Sequence, residues 1–188
     1  MSKRIDFKET DLKGLYRVVH KPIGDERGFL NRLFCANEFK EVGFVDQIAQ
    51  INYTFTKKKG TIRGMHFQNS PKMEIKIVTC LKGYVLDIAL DLRKDSDTFL
   101  QWHAEELSEK SQSGLYIPRG FAHGFQTLTE NCQLLYFHSE YYSPDNEDAL
   151  NALDPKLGIV WPLEVTEMSI RDKNHPMQIG NFEGLSVK

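Results

Sequence analysis

The sequence predicts an all-β fold whose strands close into a barrel or pack as a sandwich. Three observations predict it. Short segments rich in β-branched and aromatic residues recur along the chain, with turn residues between them. Only two short stretches read as helix, so strands do not alternate with the long helices of an α/β fold. The 188 residues, 40% hydrophobic and 27% charged, suit one well-cored unit and hardly two. The expectation is a single domain over residues 1–188, with no repeat, low-complexity tract or linker.

Taken in order, the first strand is expected near 15–20, where Tyr16, Val18 and Val19 cluster. Phe29, Leu30, Leu33 and Phe34 place a second near 28–34. The stretch 36–42 reads as a short helix. Strands follow near 47–55, 62–67 and 74–81, with Gly43, Gly60 and Pro71 punctuating the turns before them. In the next strand, 84–91, Asp87 and Asp91 are four residues apart and share one face. Further strands are expected near 99–107, 114–117, 124–128 and 132–141. A second short helix is expected over 145–151. From residue 174 the chain is polar and Gly-containing, a loop-rich tail.

Charge and cysteine usage exclude several functions. The net charge is −2, with both signs interspersed, and no basic face for nucleic acid stands out. Lys57, Lys58 and Lys59 sit beside Gly60 and read as a solvated hairpin loop. The start, MSKRIDFKET, has no apolar core of a secretion signal, and no stretch approaches 18 apolar residues. Cys35, Cys80 and Cys132 are odd in number and lack metal-type spacing. They are expected to be reduced, mostly buried thiols in a cytoplasmic protein.

Two segments carry the chemistry. The first, Gly60 to Gln68, has His66 six residues after Gly60. The second, Pro118 to His123, has the form Pro-x-Gly-x-x-His. These are halves of the two motifs of cupin barrels, and the chain resembles that superfamily. Metal-binding cupins continue the first motif as His-x-His; here Gln68 takes the second position, and Glu74 lies farther off than a third ligand should. Gln is a poor ligand for zinc or iron, so no metal is expected. Arg63 lies three residues before His66, so in a regular strand the two would face opposite sides. A bulge at Arg63-Gly64 would bring them together. Lys76 interrupts the apolar run Ile75 to Val78, so it points either outward on an edge or inward with a partner. Inward bases and imidazoles suit an anionic ligand and proton transfer.

The ordered set of motifs is more specific. It comprises Asp25 to Phe29, Gln50-Ile51-Asn52, Ile62 to Gln68, Lys76, Asp87 to Arg93, Ile117 to Phe125, Tyr136, Tyr141 to Pro144, Asp154-Pro155 and Gly158 to Pro162. In that order and spacing the chain resembles the dTDP-4-dehydrorhamnose 3,5-epimerase family, from about residue 15 to 172. The resemblance implies a cupin-type jelly-roll barrel and a cofactor-free reaction on a 4-keto-6-deoxy nucleotide sugar. The C4 ketone acidifies C3 and C5, so a base, an enolate stabiliser and an acid on the opposite ring face suffice. The resemblance assigns His66 as base and Asp172 as the carboxylate orienting it. Lys76 becomes the enolate stabiliser and Tyr136 the acid. Arg63, Gln50 and Asn52 match pyrophosphate and sugar contacts. Arg27 and Phe29 match residues that reach a nucleotide across a dimer interface, and Tyr141 an aromatic on the base. His123 is expected to support the site, with Asp87 as its partner.

The resemblance further implies a homodimer, to which an N-terminal strand contributes, and no nucleic-acid or membrane partner. Arg32 stands where the family carries a Glu that helps hold the nucleoside. That leaves a GDP-, CDP- or UDP-linked sugar, or inversion of C3 or C5 alone, as alternatives. A metal-dependent cupin enzyme is the alternative from another class. His20, His103, His138 and His175 are expected to be ordinary surface residues.

Overall fold

The computed structural model describes residues 2–177 and 179–187. Numbered along the chain, β1 (Ile5–Glu9), β2 (Tyr16–His20), β10 (Ser113–Ile117), β7 (Lys76–Lys82), β12 (Cys132–His138) and β5 (Gln50–Thr56) form a six-stranded sheet in that order. A five-stranded sheet runs β13 (Glu147–Ala149), β6 (Ile62–Gln68), β11 (Phe121–Thr127), β8 (Tyr84–Asp91), β9 (Trp102–Ser108). A hairpin of β3 (Ile23–Asp25) and β4 (Gly28–Leu30) stands apart. Every strand pair is antiparallel, and most neighbours in space are distant in sequence. This is the jelly-roll architecture that the family resemblance implies.

Three apolar layers hold it together. Between the sheets, Leu15, Val78, Val85, Ala89, Leu107, Leu115, Phe125 and Leu134 fill the barrel. Outside the five-stranded sheet, Ile62, Phe67, Ile88 and Leu90 are covered by Leu157, Met168, Ile179 and Leu185 from the C-terminal third. Outside the six-stranded sheet, Ile77, Tyr116 and Phe137 are covered by Phe39 and Phe44. Central strands buried on both faces lose the polar alternation of a one-sided sheet, and β11 is buried at all seven positions. A charge in such a strand must point inward with a partner, and Lys76 does.

Several expectations need correction. Within the stretch 145–151 the regular element is a three-residue strand, β13, rather than a helix. It covers the open edge of β6, with Ala149 opposite His66 and Asp148 opposite Phe67. The strands β1 and β3 carry too few apolar residues to mark themselves, and β1 is formed by pairing with β2 of the same chain. The short helix expected over 36–42 is present, as one α-turn, α1 (Ala36–Phe39), continued as a 3-10 turn over Lys40–Val42. The tail is loop-rich, yet Ile179 and Leu185 are buried; residues 178 and 188 lie outside the described ones. His20 and His138 are not surface residues: their exposures are 4% and 9%.

Candidate active site

The position of His66 follows from a glycine pair. Opposite β6, Phe125 pairs with Arg63 and His123 with His66, so three steps on β6 face two on β11. That is the bulge expected at Arg63-Gly64. Gly64 has φ +125°, and a Cβ there would lie 2.5 Å from the Gly124 Cα. Gly124 is equally confined, with Met65 Sδ 2.6 Å from a Cβ position. Only two glycines permit this approach, and the bulge turns Arg63 and His66 toward one cavity.

The cavity is about 710 Å³, within the range of small-molecule sites, and it is lined from both sheets. His66 Nε2 lies 2.9 Å from Asp172 Oδ1. Asp172 sits in α2 (Ile170–Asn174), whose Ser169 cap accepts the Asp172 N–H. Burial pushes the Asp172 carboxyl up, but the His66 hydrogen bond, the imidazole charge and the Gly64 N–H outweigh it. The carboxyl is held below the usual range, so it is an anion at neutral pH. Nε2 therefore donates to Asp172, and Nδ1 keeps the lone pair, as a general base requires. Arg171 Nη2 is 3.2 Å from the same Nε2, while its Nη1 donates to Glu147 at 2.6 Å. Two donors meeting at Nε2 make no hydrogen bond, so Arg171 contributes a cation beside the dyad. It is a residue that sequence reasoning passes over; its one signal is its place before Asp172.

Tyr136 projects from β12 in the opposite sheet into the same cavity. Burial, then the Asp87 charge, pushes its phenol far above the ordinary value. It remains protonated and gives its proton only to a strongly basic centre. His123 Nε2 lies 2.9 Å and 3.0 Å from the two Asp87 oxygens, the partnership expected from sequence. Its ring meets Tyr136 edge-on at 5.8 Å. Asp87 is fully buried, and His123 is the group that satisfies it.

Lys76 Nζ lies 3.2 Å from Glu74 Oε1 and donates to the His66 carbonyl at 3.3 Å. Glu74 Oε2 accepts from His138 Nδ1 at 2.6 Å. Neither Glu74 nor His138 is marked by the sequence as part of a proton-transfer site. Asn52 and Arg63 line the cavity, while Gln50 reaches it through a 3.1 Å hydrogen bond to Asn52.

Three expected contacts lie elsewhere in this chain. Arg27 and Phe29 sit on the β3–β4 hairpin, where Arg27 pairs with Asp25 and Phe29 is 65% exposed. Tyr141 is 64% exposed and outside the cavity lining. Arg32 is bound to Glu38 at 2.5 Å, and its carbonyl accepts from His20. Gln68 is committed to the backbone: its amide donates to the Lys72 and Tyr141 carbonyls and accepts from the Ser143 N–H. Among the described residues no three His, Cys, Asp or Glu side chains converge as a metal set. All three cysteines are free, and burial pushes the Cys80 thiol up to about 12, which suits a packing role.

The model of the dTDP-4-dehydrorhamnose 3,5-epimerase family matches residues 9–178. The chain belongs to that family. The epimerase of that name from Salmonella typhimurium is 40% identical over 171 residues, covering 90% of this chain and 93% of that protein. The Legionella pneumophila 3,5-epimerase, solved with dTDP-4-keto-L-rhamnose, superposes with a TM-score of 0.90 at 34% identity. It covers 98% of this chain and 99% of its own. The Bacillus anthracis epimerase, solved with TDP and pyrophosphate, gives 0.88 at 34% identity, over 92% and 98%. These solved relatives share this barrel.

Proposed function

We propose that this chain inverts C3 and C5 of a 4-keto-6-deoxy sugar carried on dTDP, as its relatives' names describe. One observation carries the assignment of roles: His66 and Tyr136 stand on opposite sheets and line one cavity. A base and an acid so placed address opposite faces of a ring held between them. His66 Nδ1 takes the proton from C5 or C3, and the C–H electrons move onto the C4 oxygen. Lys76 stabilises that enolate oxygen. Tyr136 returns a proton to the carbon from the other face and inverts the centre. Asp172 orients His66 and stabilises the imidazolium formed during the step. His123 with Asp87 fixes the wall against which Tyr136 packs.

Arg63, with Arg171 beside the dyad, supplies the cationic side of the cavity for a pyrophosphate, where a guanidinium binds in bidentate fashion. Gln50 and Asn52 hold the sugar and phosphate. No cofactor enters the scheme, because the ketone itself is the electron sink. Arg27, Phe29 and Tyr141 act in a homodimer, the hairpin of one chain reaching the nucleotide bound by the other. The free edge strand β5 supports this: Ile51, Tyr53 and Phe55 alternate along it at 57%, 57% and 48% exposure. Residues 1–188 serve as one epimerase domain, whose N-terminal strand contributes to the dimer. The free thiols fit a cytoplasmic enzyme, and no helix among the described residues is long and apolar enough to cross a membrane.

The test is a panel of dTDP-, GDP-, CDP- and UDP-linked 4-keto-6-deoxy sugars in heavy water, read by NMR. Deuterium at both C3 and C5 of the dTDP sugar is expected. No exchange with any of the four overturns the reading, and exchange confined to another nucleotide overturns its dTDP part.

A further inference from the structure

We propose that Glu74 and His138 are positioning residues that couple the sugar-contacting amides of Gln50 and Asn52 to the ammonium of Lys76. The proposal rests on the epimerase reading above. It begins from a continuous chain of hydrogen bonds across three strands. The Tyr142 N–H donates to Gln50 Oε1 at 3.1 Å. Gln50 Nε2 donates to Asn52 Oδ1 at 3.1 Å. Asn52 Nδ2 lies 3.4 Å from His138 Nε2, and His138 Nδ1 lies 2.6 Å from Glu74 Oε2. Glu74 Oε1 faces Lys76 Nζ.

The polarity of this chain is fixed from both ends. A backbone N–H can only donate, so Gln50 Oε1 is an acceptor and Gln50 Nε2 is free to donate. That makes Asn52 Oδ1 an acceptor and Asn52 Nδ2 a donor. His138 Nε2 is then an acceptor, so its proton sits on Nδ1. The far end agrees. The Glu74 side chain is 9% exposed, and burial pushes its carboxyl up. The Lys76 charge and the His138 hydrogen bond outweigh burial and hold it below the usual range. It is an acceptor for both. Every donor meets an acceptor, with His138 as the neutral Nδ1–H tautomer.

The consequence falls on Lys76. An ammonium has three N–H groups. One faces Glu74 and one the His66 carbonyl, which leaves one for a ligand in the cavity that Lys76 lines. A long flexible side chain is thereby reduced to one direction. Register supports the same grouping. His138 is opposite Gln50 on β5 and opposite Lys76 on β7, while Tyr136 is opposite Asn52. The His138 ring also stacks on Tyr136 at 5.9 Å and 18°. His138 thus joins the residues that seat the sugar to the residue that stabilises the enolate.

Two substitutions separate the arms. His138→Phe keeps the ring on Tyr136 and removes both nitrogens. His138→Asn offers an amide N–H where Nδ1 stood and nothing where Nε2 stood. With dTDP-4-dehydro-6-deoxy-glucose in heavy water, His138→Phe is expected to raise KM and to lower kcat roughly tenfold to a hundredfold, the equivalent of one charge-linked hydrogen bond. His138→Asn is expected to restore kcat to within a few-fold of wild type while KM stays high. A merely structural role would not split KM from kcat in this way. If His138→Phe does not fold, His138→Asn decides alone: a raised KM with kcat retained supports the network. Wild-type KM in His138→Asn, or wild-type kcat and KM in His138→Phe, overturns it. Absence of exchange by the wild-type chain overturns the epimerase reading itself, and the network with it.

Discussion

At the scale of single residues, three side chains are prepared for proton transfer. His66 is oriented by a buried anion, Tyr136 is held protonated, and Lys76 has one N–H left for the substrate. Asp172→Asn offers His66 a neutral partner and weakens the base. A fall in kcat of about a hundredfold or more is expected, with KM changed little, in a direct epimerisation assay. Tyr136→Phe is expected to impair inversion more than the first exchange of deuterium; equal, negligible effects on both would remove Tyr136 from the acid role. His66, Lys76, Tyr136 and Asp172 are legible in the sequence because each belongs to a motif whose order and spacing are themselves informative. Glu74 and His138 are not. They lie 64 residues apart, and only the register of β7 with β12 brings them together. One chain carries no signal for that register, and a histidine at the end of a strand reads as surface.

At the scale of elements, the approach of β6 to β11 decides where His66 points. A Cβ on Gly64 would meet backbone rather than the end of a flexible side chain, and the residue is in the left-handed region. Gly64→Ala is expected to cost on the order of 2–4 kcal/mol, from backbone strain and steric overlap together, measured by urea unfolding. It should also lose proton exchange, because the bulge is what turns His66 into the cavity. Unchanged stability in that variant would contradict this packing. The bulge is legible in the sequence: Arg63 and His66 are three residues apart, and Gly64 permits the turn. The strand β13 is not legible. Asp145 to Asn151 has the composition of a helix, yet the unpaired edge of β6 recruits it as a strand. Local preference yields there to a tertiary hydrogen-bonding demand.

At the scale of the whole molecule, burial of charged groups links stability to pH. Asp172 and Glu74 have folded pKa values below their unfolded ones. Their contribution is present above the ordinary carboxylate range and is lost as pH falls through the folded values. His20 is held below 6.5 by burial, so the fold accommodates its neutral form. Stability should therefore begin to fall as pH drops below 6.5, and fall again in the carboxylate range. Melting curves from pH 7.5 to 3.5 check this. His20→Gln is expected to remove the first decline and leave the second. The exposed stripe of β5 and the apolar hairpin predict self-association, so sedimentation at micromolar concentration is expected to show a dimer. The all-β class is legible from strand count and turn punctuation, and the barrel from the two cupin-like motifs. The hidden cover on its two outer faces is not, because coverage depends on where the segments after each sheet return.

Removal of the proton by His66 has a direct test. Wild-type protein and His66→Asn are incubated with dTDP-4-dehydro-6-deoxy-glucose in heavy water, and deuterium at C3 and C5 is followed by NMR. Exchange at both carbons by the wild type, and a loss of about a hundredfold or more in the variant, is the expected result. Exchange by His66→Asn at the wild-type rate would rule out His66 as the base.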